Sequence, residues 1–310
     1  MEQRGFQHQA LIYEGDDEYL EGVMSFVVEA LIAGEPLLVA GGAAQGELIA
    51  SELGPDADRV LFVDMQTVGR NPAAIIPLWR EFVDDHSGLP VRGISEPAWA
   101  DRSRAELEEC HRHEGLLNVA FARASTWNLL CPYDAESLDD PMLERAAFSH
   151  SRISRQGRIE KSACFEPNPD CMAGDLPPPA ARPDDFSFGP NDLGAVRRRV
   201  ALAAERAGLG PRAGGDFVTA ASELAANSVA HGGGTGTLRL WREEDDLLAE
   251  VEDGGLIDEP LAGRLRPHVS QEGGRGLWLA NQLCDLVQIR SGKNGTKVRL
   301  HVPAHEGVLV

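Results

Sequence analysis

The chain has 310 residues, 43% of them apolar and 25% charged, with a net charge of −20 and an isoelectric point near 4.8. That length supports two domains with a core each. So acidic a surface repels phosphate backbones and anionic lipid, which argues against direct nucleic-acid or membrane binding.

No apolar run approaches the ~18–20 residues of a membrane helix, and Met1 to His8 holds no apolar signal core. Cys110, Cys131, Cys164, Cys171 and Cys284 are odd in number and scattered, and read as reduced thiols. A cytoplasmic protein is expected.

In chain order, short turn-bounded apolar runs predict strands at 10–13, 36–40, 59–64, 90–94 and 127–131. Between them lie amphipathic stretches, such as Glu18 to Ala33 with Leu20, Val23, Val27, Ala30 and Leu31 on one side. Strands alternating with helices predict a mostly parallel α/β sheet over residues 1–165. Residues 166–184 read as a linker, exposed and semi-extended, because 167–184 holds six prolines and no periodicity.

A second α/β unit is expected over 185–310. A short strand at 186–188 precedes a helix that Asn191 can cap, running to Gly208 with Leu193, Val196, Val200 and Ala204 inward. A second helix spans Asp216 to His231 and stops at Gly232-Gly-Gly234. Strands at 237–241 and 247–252, a glycine-punctuated loop, a helix from Gly276 to about Cys284, and strands at 286–290 and 297–302 complete the unit.

The Asp216–His231 helix carries the first chemical signal. Glu223, Asn227 and His231 recur every fourth residue and form one polar stripe, with Val218, Ala221, Ala225 and Val229 opposite. Asn227 offers a hard oxygen to Mg²⁺, and Glu223 can orient or deprotonate an attacking hydroxyl. Alone, the stripe reads better as the wet face of an amphipathic helix. Asp253 ends a strand before Gly254 and Gly255, where a carboxylate can accept from an adenine amino group and glycine admits the base. Gly273, Gly274 and Gly276 flank Arg275 ahead of a helix whose buried face is expected to carry Leu279, Leu283 and one of Leu277 or Trp278. Such a loop offers backbone N–H groups and a positive helix end to phosphate, and Arg275 adds charge-assisted bonds. Thr296 opens the last strand after Gly295, and its hydroxyl could bond toward the base.

A Glu-x₃-Asn helix, an Asp-x-Gly loop, a Gly-rich loop with its helix, and a Gly-Thr strand, in that order, resemble the successive boxes of GHKL ATPases over about 184–302. The Glu223-Leu-Ala-Ala-Asn227-Ser-Val-Ala-His231 helix, and the 17 residues between Gly255 and Gly273, resemble the RsbW and SpoIIAB type of anti-sigma serine kinase. This resemblance implies a Bergerat-type sandwich that binds ATP and Mg²⁺. Glu223 would be the base and Asn227 the metal ligand. Asp253 would contact the adenine, Thr296 the adenine side, and Gly274 and Gly276 the phosphates; His231, Gly255, Arg275 and Leu277 are further candidates for nucleotide contact. It also implies a sigma factor and a STAS-domain anti-anti-sigma protein as partners, serine phosphorylation of the latter, and a homodimer. The alternative is an ATP- or ADP-binding partner switch without phosphoryl transfer. Two departures stand out: Ile257 replaces the second glycine of the Asp-x-Gly-x-Gly box, and Arg275 fills a position often small or apolar. A histidine kinase is disfavoured, because His150 lacks an acidic neighbour and reads as a structural or surface residue.

His8-Gln-Ala-Leu-Ile-Tyr13, Arg92-Gly-Ile-Ser-Glu-Pro-Ala-Trp99 and Asn128-Leu-Leu-Cys-Pro-Tyr-Asp134 resemble the MEDS domain. That resemblance implies a RecA-like sensory module, here controlling the ATPase, with His8, Arg92, Trp99 and Tyr133 as candidates around a small-molecule ligand. Gly41 and Gly46 have phosphate-loop spacing, yet Glu47 and Leu48 stand where lysine and a hydroxyl belong, so triphosphate should not bind there. Cys110, His113 and Glu114 share a helix face, and with no fourth ligand they fit a surface helix better than a zinc site.

Overall fold

The computed structural model describes residues 5–124, 126–167, 174–267 and 274–304. Cys171 and Gly273 lie outside the described residues. Contacts divide the chain into two compact units, Met1–Cys171 and Met172–Val310.

The first unit runs β1 (Phe6–Tyr13), α1 (Gly15–Ala33), β2 (Leu37–Gly41), α2 (Ala43–Leu53), β3 (Leu61–Asp64), α3 (Met65–Val68), α4 (Ile75–Asp85), β4 (Val91–Ser95), α5 (Arg104–Ala120), β5 (Trp127–Asp134), α6 (Asp140–Ser149), β6 (Arg152–Arg155) and β7 (Arg158–Lys161). Its sheet has the order β3-β2-β4-β5-β1-β6-β7, parallel except for β7. All five residues of β2 are buried, as a strand covered by helices on both faces requires. One face packs Leu11, Tyr13, Val39, Ile94 and Leu130 on Tyr19, Val23, Val27 and Ala30 of α1 and Ile49 of α2. On the other, Trp127 stacks with Phe6 and meets Trp79 of α4 and Phe121 at the end of α5.

The local signals explain the boundaries. Asp16, Asp17 and Glu18 sit in the first turn of α1, where carboxylates favour the helix dipole, and left-handed Gly34 closes it. α5 opens with a full capping box between Ser103 and Glu106. The β6–β7 hairpin is not foreseen from its charged sequence; Gln156 and Gly157 both take positive φ and supply its tight turn.

The second unit runs β8 (Asp184–Phe188), α7 (Leu193–Arg206), α8 (Pro211–His231), β9 (Gly236–Glu243), β10 (Asp246–Asp253), α9 (Arg275–Leu283), β11 (Leu286–Gly292) and β12 (Gly295–Pro303). Its antiparallel sheet has the order β11-β12-β10-β9-β8. Alternate residues of β9, β10 and β12 (Leu238, Leu240, Ala249, Val251, Val298, Leu300) join Val196, Val200, Phe217, Leu224 and Ala280 from the helices in one core. The opposite face carries buried Glu250, Gln288, Arg290, Arg299 and His301, with Arg299 Nη2 2.7 Å from Glu250 Oε2.

Three expectations change. The cap of α7 is Asp192, not Asn191, and its Oδ2 accepts from the Gly189 N–H at 3.0 Å. α8 begins at Pro211 rather than at Asp216, because proline suits a first turn. The proline-rich segment is not wholly exposed: Leu176 is buried, and the Pro177 carbonyl accepts from Arg299 at 2.7 Å.

Candidate functional site

α8 is anchored by Phe217, Ala220, Ala221, Leu224, Ala225 and Ser228, all buried. This stripe lies slightly round the helix from the predicted one, and Val218 and Val229 only border the core. Glu223 and Asn227 are thereby left half-buried, one turn apart, while His231 is exposed at the last turn.

The start of α9 lies directly against this pair. A side chain at position 276 would place its Cβ 2.7 Å from Asn227 Nδ2 and 3.3 Å from both Asn227 Oδ1 and Glu223 Oε2. A side chain there would displace the ends of Asn227 and Glu223, so Gly276 is what lets α9 approach α8 with that pair in place. Gly274 is the N-cap in a left-handed conformation, with no side-chain cap bond. The first turn of α9, which has no side-chain cap, thus lies beside Asn227, and a helix end of this kind can hold an anion. Arg275 is exposed at the same turn. The buried face of α9 is Gly276, Ala280 and Asn281, with Leu277 and Leu283 packed on the core. Leu279 and Trp278 are half-buried and outside that core, because small residues are what the close approach to α8 allows.

Asp253 ends β10 beside the end of α8. Its Oδ2 accepts from Ser228 Oγ at 2.5 Å and its Oδ1 from the Gly255 N–H at 2.8 Å. Each oxygen keeps further acceptor capacity for an amino group. A Cβ at Gly232 would fall 2.4 Å from Asp253 Cγ, so the glycine run that stops α8 also admits the carboxylate. Thr296 is buried, donates to the Gly255 carbonyl at 3.0 Å and lies 2.7 Å from Ser291 Oγ. Ser291 Oγ accepts from the Ile257 N–H at 2.8 Å. Ile257 has no positive φ, so the residue that replaces the family glycine introduces no backbone strain. Farther along, Asn281 Nδ2 donates to the Gly263 carbonyl at 3.0 Å and ties the loop to α9.

Gly276 thus meets Glu223 and Asn227 at the α8–α9 contact, with Gly274, Arg275 and Leu277 next to it in sequence, and Asp253, Gly255 and Thr296 come together at the end of β10. Sequence reasoning missed Ser228, Ser291 and Asn281. Ser228 follows Asn227 directly, but the hydroxyl's partner lies 25 residues on.

In the first unit, His8 and Arg92 border a cleft of about 1080 Å³. Trp99 does not border it: the Arg102 guanidinium lies 3.7 Å from its ring centroid. Tyr133 is buried and also absent from that lining. The Gly41–Gly46 turn opens a smaller cleft of about 290 Å³ edged by Glu47 and Asp64, an acidic setting that disfavours phosphate. α5 is not a surface helix: Cys110, His113 and Glu114 are fully buried. Nor do these three converge. Cys110 Sγ donates to the Pro97 carbonyl at 3.2 Å, whereas Glu114 reaches His8, Cys131 and His150. His150 is correspondingly an interior residue of this group and not a surface one.

Residues 7–151 match the family model MEDS, the methanogen/methylotroph, DcmR sensory domain. Residues 186–302 match the histidine kinase-like ATPase domain. No curated protein matches the chain. The protein therefore joins a MEDS sensory domain to an ATP-binding domain of the histidine kinase-like ATPase type.

Proposed function

We propose that the chain is an ATP-dependent anti-sigma regulator that phosphorylates a serine of a STAS-domain anti-anti-sigma partner, under control of its sensory domain. The observation that carries this reading is the contact of Gly276 with Glu223 and Asn227, which sets a carboxylate beside the anion-binding turn of α9. A passive nucleotide switch has no need of a carboxylate there.

ATP, when bound, would supply the phosphoryl group and leave as ADP, with Mg²⁺ supplying charge neutralisation at the phosphate oxygens. Asn227 would offer the protein's oxygen to that cation. The α9 turn holds the phosphates through Gly274, Arg275 and Gly276, and Asp253, fixed by Ser228 and Gly255, receives the adenine amino group. Glu223 takes the proton of the incoming serine hydroxyl. The net charge of −20 complements the basic DNA-binding faces of sigma factors.

The test incubates the full chain with labelled ATP, Mg²⁺ and candidate STAS proteins. Label transfer that Glu223→Ala abolishes supports the kinase. Tight ATP binding without transfer to any candidate overturns it in favour of a non-catalytic partner switch that sequesters a sigma or anti-anti-sigma factor.

A further inference from the structure

We propose that His8, Glu114, Cys131 and His150 form a binding site for one divalent cation of the zinc class inside the sensory domain. The four come from β1, α5, β5 and the end of α6, and each is fully or almost fully buried. One donor atom from each lies within 4.8 Å of the others. His8 Nε2 is 2.9 Å from Glu114 Oε2 and 3.3 Å from Cys131 Sγ. His150 Nε2 and Cys131 Sγ are 3.4 and 3.5 Å from the same Glu114 oxygen. Tetrahedral zinc with arms of ~2.0–2.3 Å requires donor–donor edges of ~3.3–3.7 Å, so small side-chain adjustments suffice.

The surroundings decide what these atoms present to one another. Asn118 Nδ2 donates to the Ser149 carbonyl at 2.8 Å, which turns its Oδ1 toward His8 Nδ1 at 3.2 Å. His8 Nδ1 must therefore carry hydrogen. His150 Nδ1 is 2.8 Å from the Ala146 carbonyl, an acceptor only, so it carries hydrogen too. In the neutral rings both Nε2 lone pairs then point at the Glu114 carboxylate. Three acceptors and a sulfur converge at buried positions, and a buried carboxylate without a cation is strongly disfavoured. One proton cannot satisfy the set: on either imidazole it serves one contact and leaves the other lone pair facing oxygen. Among the described residues, His150 Nε2 and Glu114 Oε1 have no hydrogen-bond partner. A single divalent cation satisfies all four donors at once. Outer partners that hold the far ring nitrogen, here Asn118 and the Ala146 carbonyl, are what histidine ligands ordinarily have.

The mixed nitrogen, oxygen and sulfur set selects Zn²⁺ or Co²⁺ over Mg²⁺ and Ca²⁺, which prefer oxygen throughout. The test takes the full chain stripped with a chelator and titrates it with Co²⁺, then Zn²⁺. About one Co²⁺ per chain, with four-coordinate visible bands and a thiolate charge-transfer band, both displaced by Zn²⁺, supports the site. Cys131→Ser should remove the charge-transfer band, and Asn118→Ala, which deletes no ligand, should weaken binding ~10–100-fold. A folded chain that takes up neither ion, or uptake unchanged by both substitutions, overturns the proposal. Should Cys131→Ser fail to fold, the wild-type titration and Asn118→Ala still decide.

Discussion

The two units place polar groups in opposite settings. In the ATP-binding unit, Glu223 and Asn227 sit half-exposed on one helix face, ready for a ligand that brings its own charge. In the sensory unit, His8, Glu114, Cys131 and His150 are sealed between the sheet and its helices. An open site tolerates incomplete bonding because water completes it; a sealed one must be completed by protein, proton or cation. Substitutions in the first should therefore register in activity, and those in the second in stability.

The largest expected effect is that of Glu223→Ala. Transfer to the partner should fall by roughly 10²–10⁴-fold, the usual worth of a positioned base. Melting temperature should barely move, since the side chain is half-exposed; a large drop would refute the division into open and sealed sites.

Next is the buried carboxylate Glu96, whose Oε1 accepts from Tyr13 Oη at 2.8 Å. Burial raises its pKa from 4.5 to about 7, the Tyr13 bond offsets part of that, and Asp134 adds to it. The folded state thus holds the proton more tightly than the unfolded chain. The stability this gives is complete below about pH 4.5 and is lost as pH rises through 7. At ~1.4 kcal/mol per unit, Glu96→Gln should raise unfolding free energy by roughly 3 kcal/mol at pH 8 and leave it nearly unchanged at pH 4. Urea titrations at the two pH values check this.

Gly276→Val attacks the helix contact itself. Its Cβ would meet Asn227 and Glu223. Forced repacking typically costs ~1–3 kcal/mol, so ATP affinity measured by calorimetry should fall ~5–150-fold. Unchanged affinity would show that α9 is not the phosphate-binding turn.

The smallest effect is expected of Ser103→Ala, which opens the capping box of α5. A loss of about 1 kcal/mol follows from the cap alone. Because α5 carries Glu114, the same variant reveals through the Co²⁺ spectrum whether fraying at the helix start reaches the sealed cluster.

Much of the fold was legible because its signals are local. The mostly parallel sheet follows from apolar runs such as Leu37 to Gly41, and the α8 stripe from residues four apart on one helix. Where the reading slipped, a contact distant in sequence outweighed a local preference. The second helix of the ATP-binding unit is expected from Asp216, yet it starts five residues earlier at Pro211 and runs through Gly214 and Gly215. Leu279 looks like a core residue, yet small Gly276 and Ala280 take the face toward α8.

Amino-acid order alone determined the division into two α/β units and the acidic character of the chain. It also placed the Glu223–Asn227 pair on one helix face and marked the glycine turns at 255 and 274. Each of these depends on spacing within a few residues. Only the tertiary structure decided that Ser228 holds Asp253 and that Gly276 rests against Glu223. It alone turned α5 inward and carried His8 and His150, 142 positions apart, to ring centroids 4.0 Å from each other. Burial and long-range strand pairing set those contacts, and neither is encoded in the periodicity of any single segment.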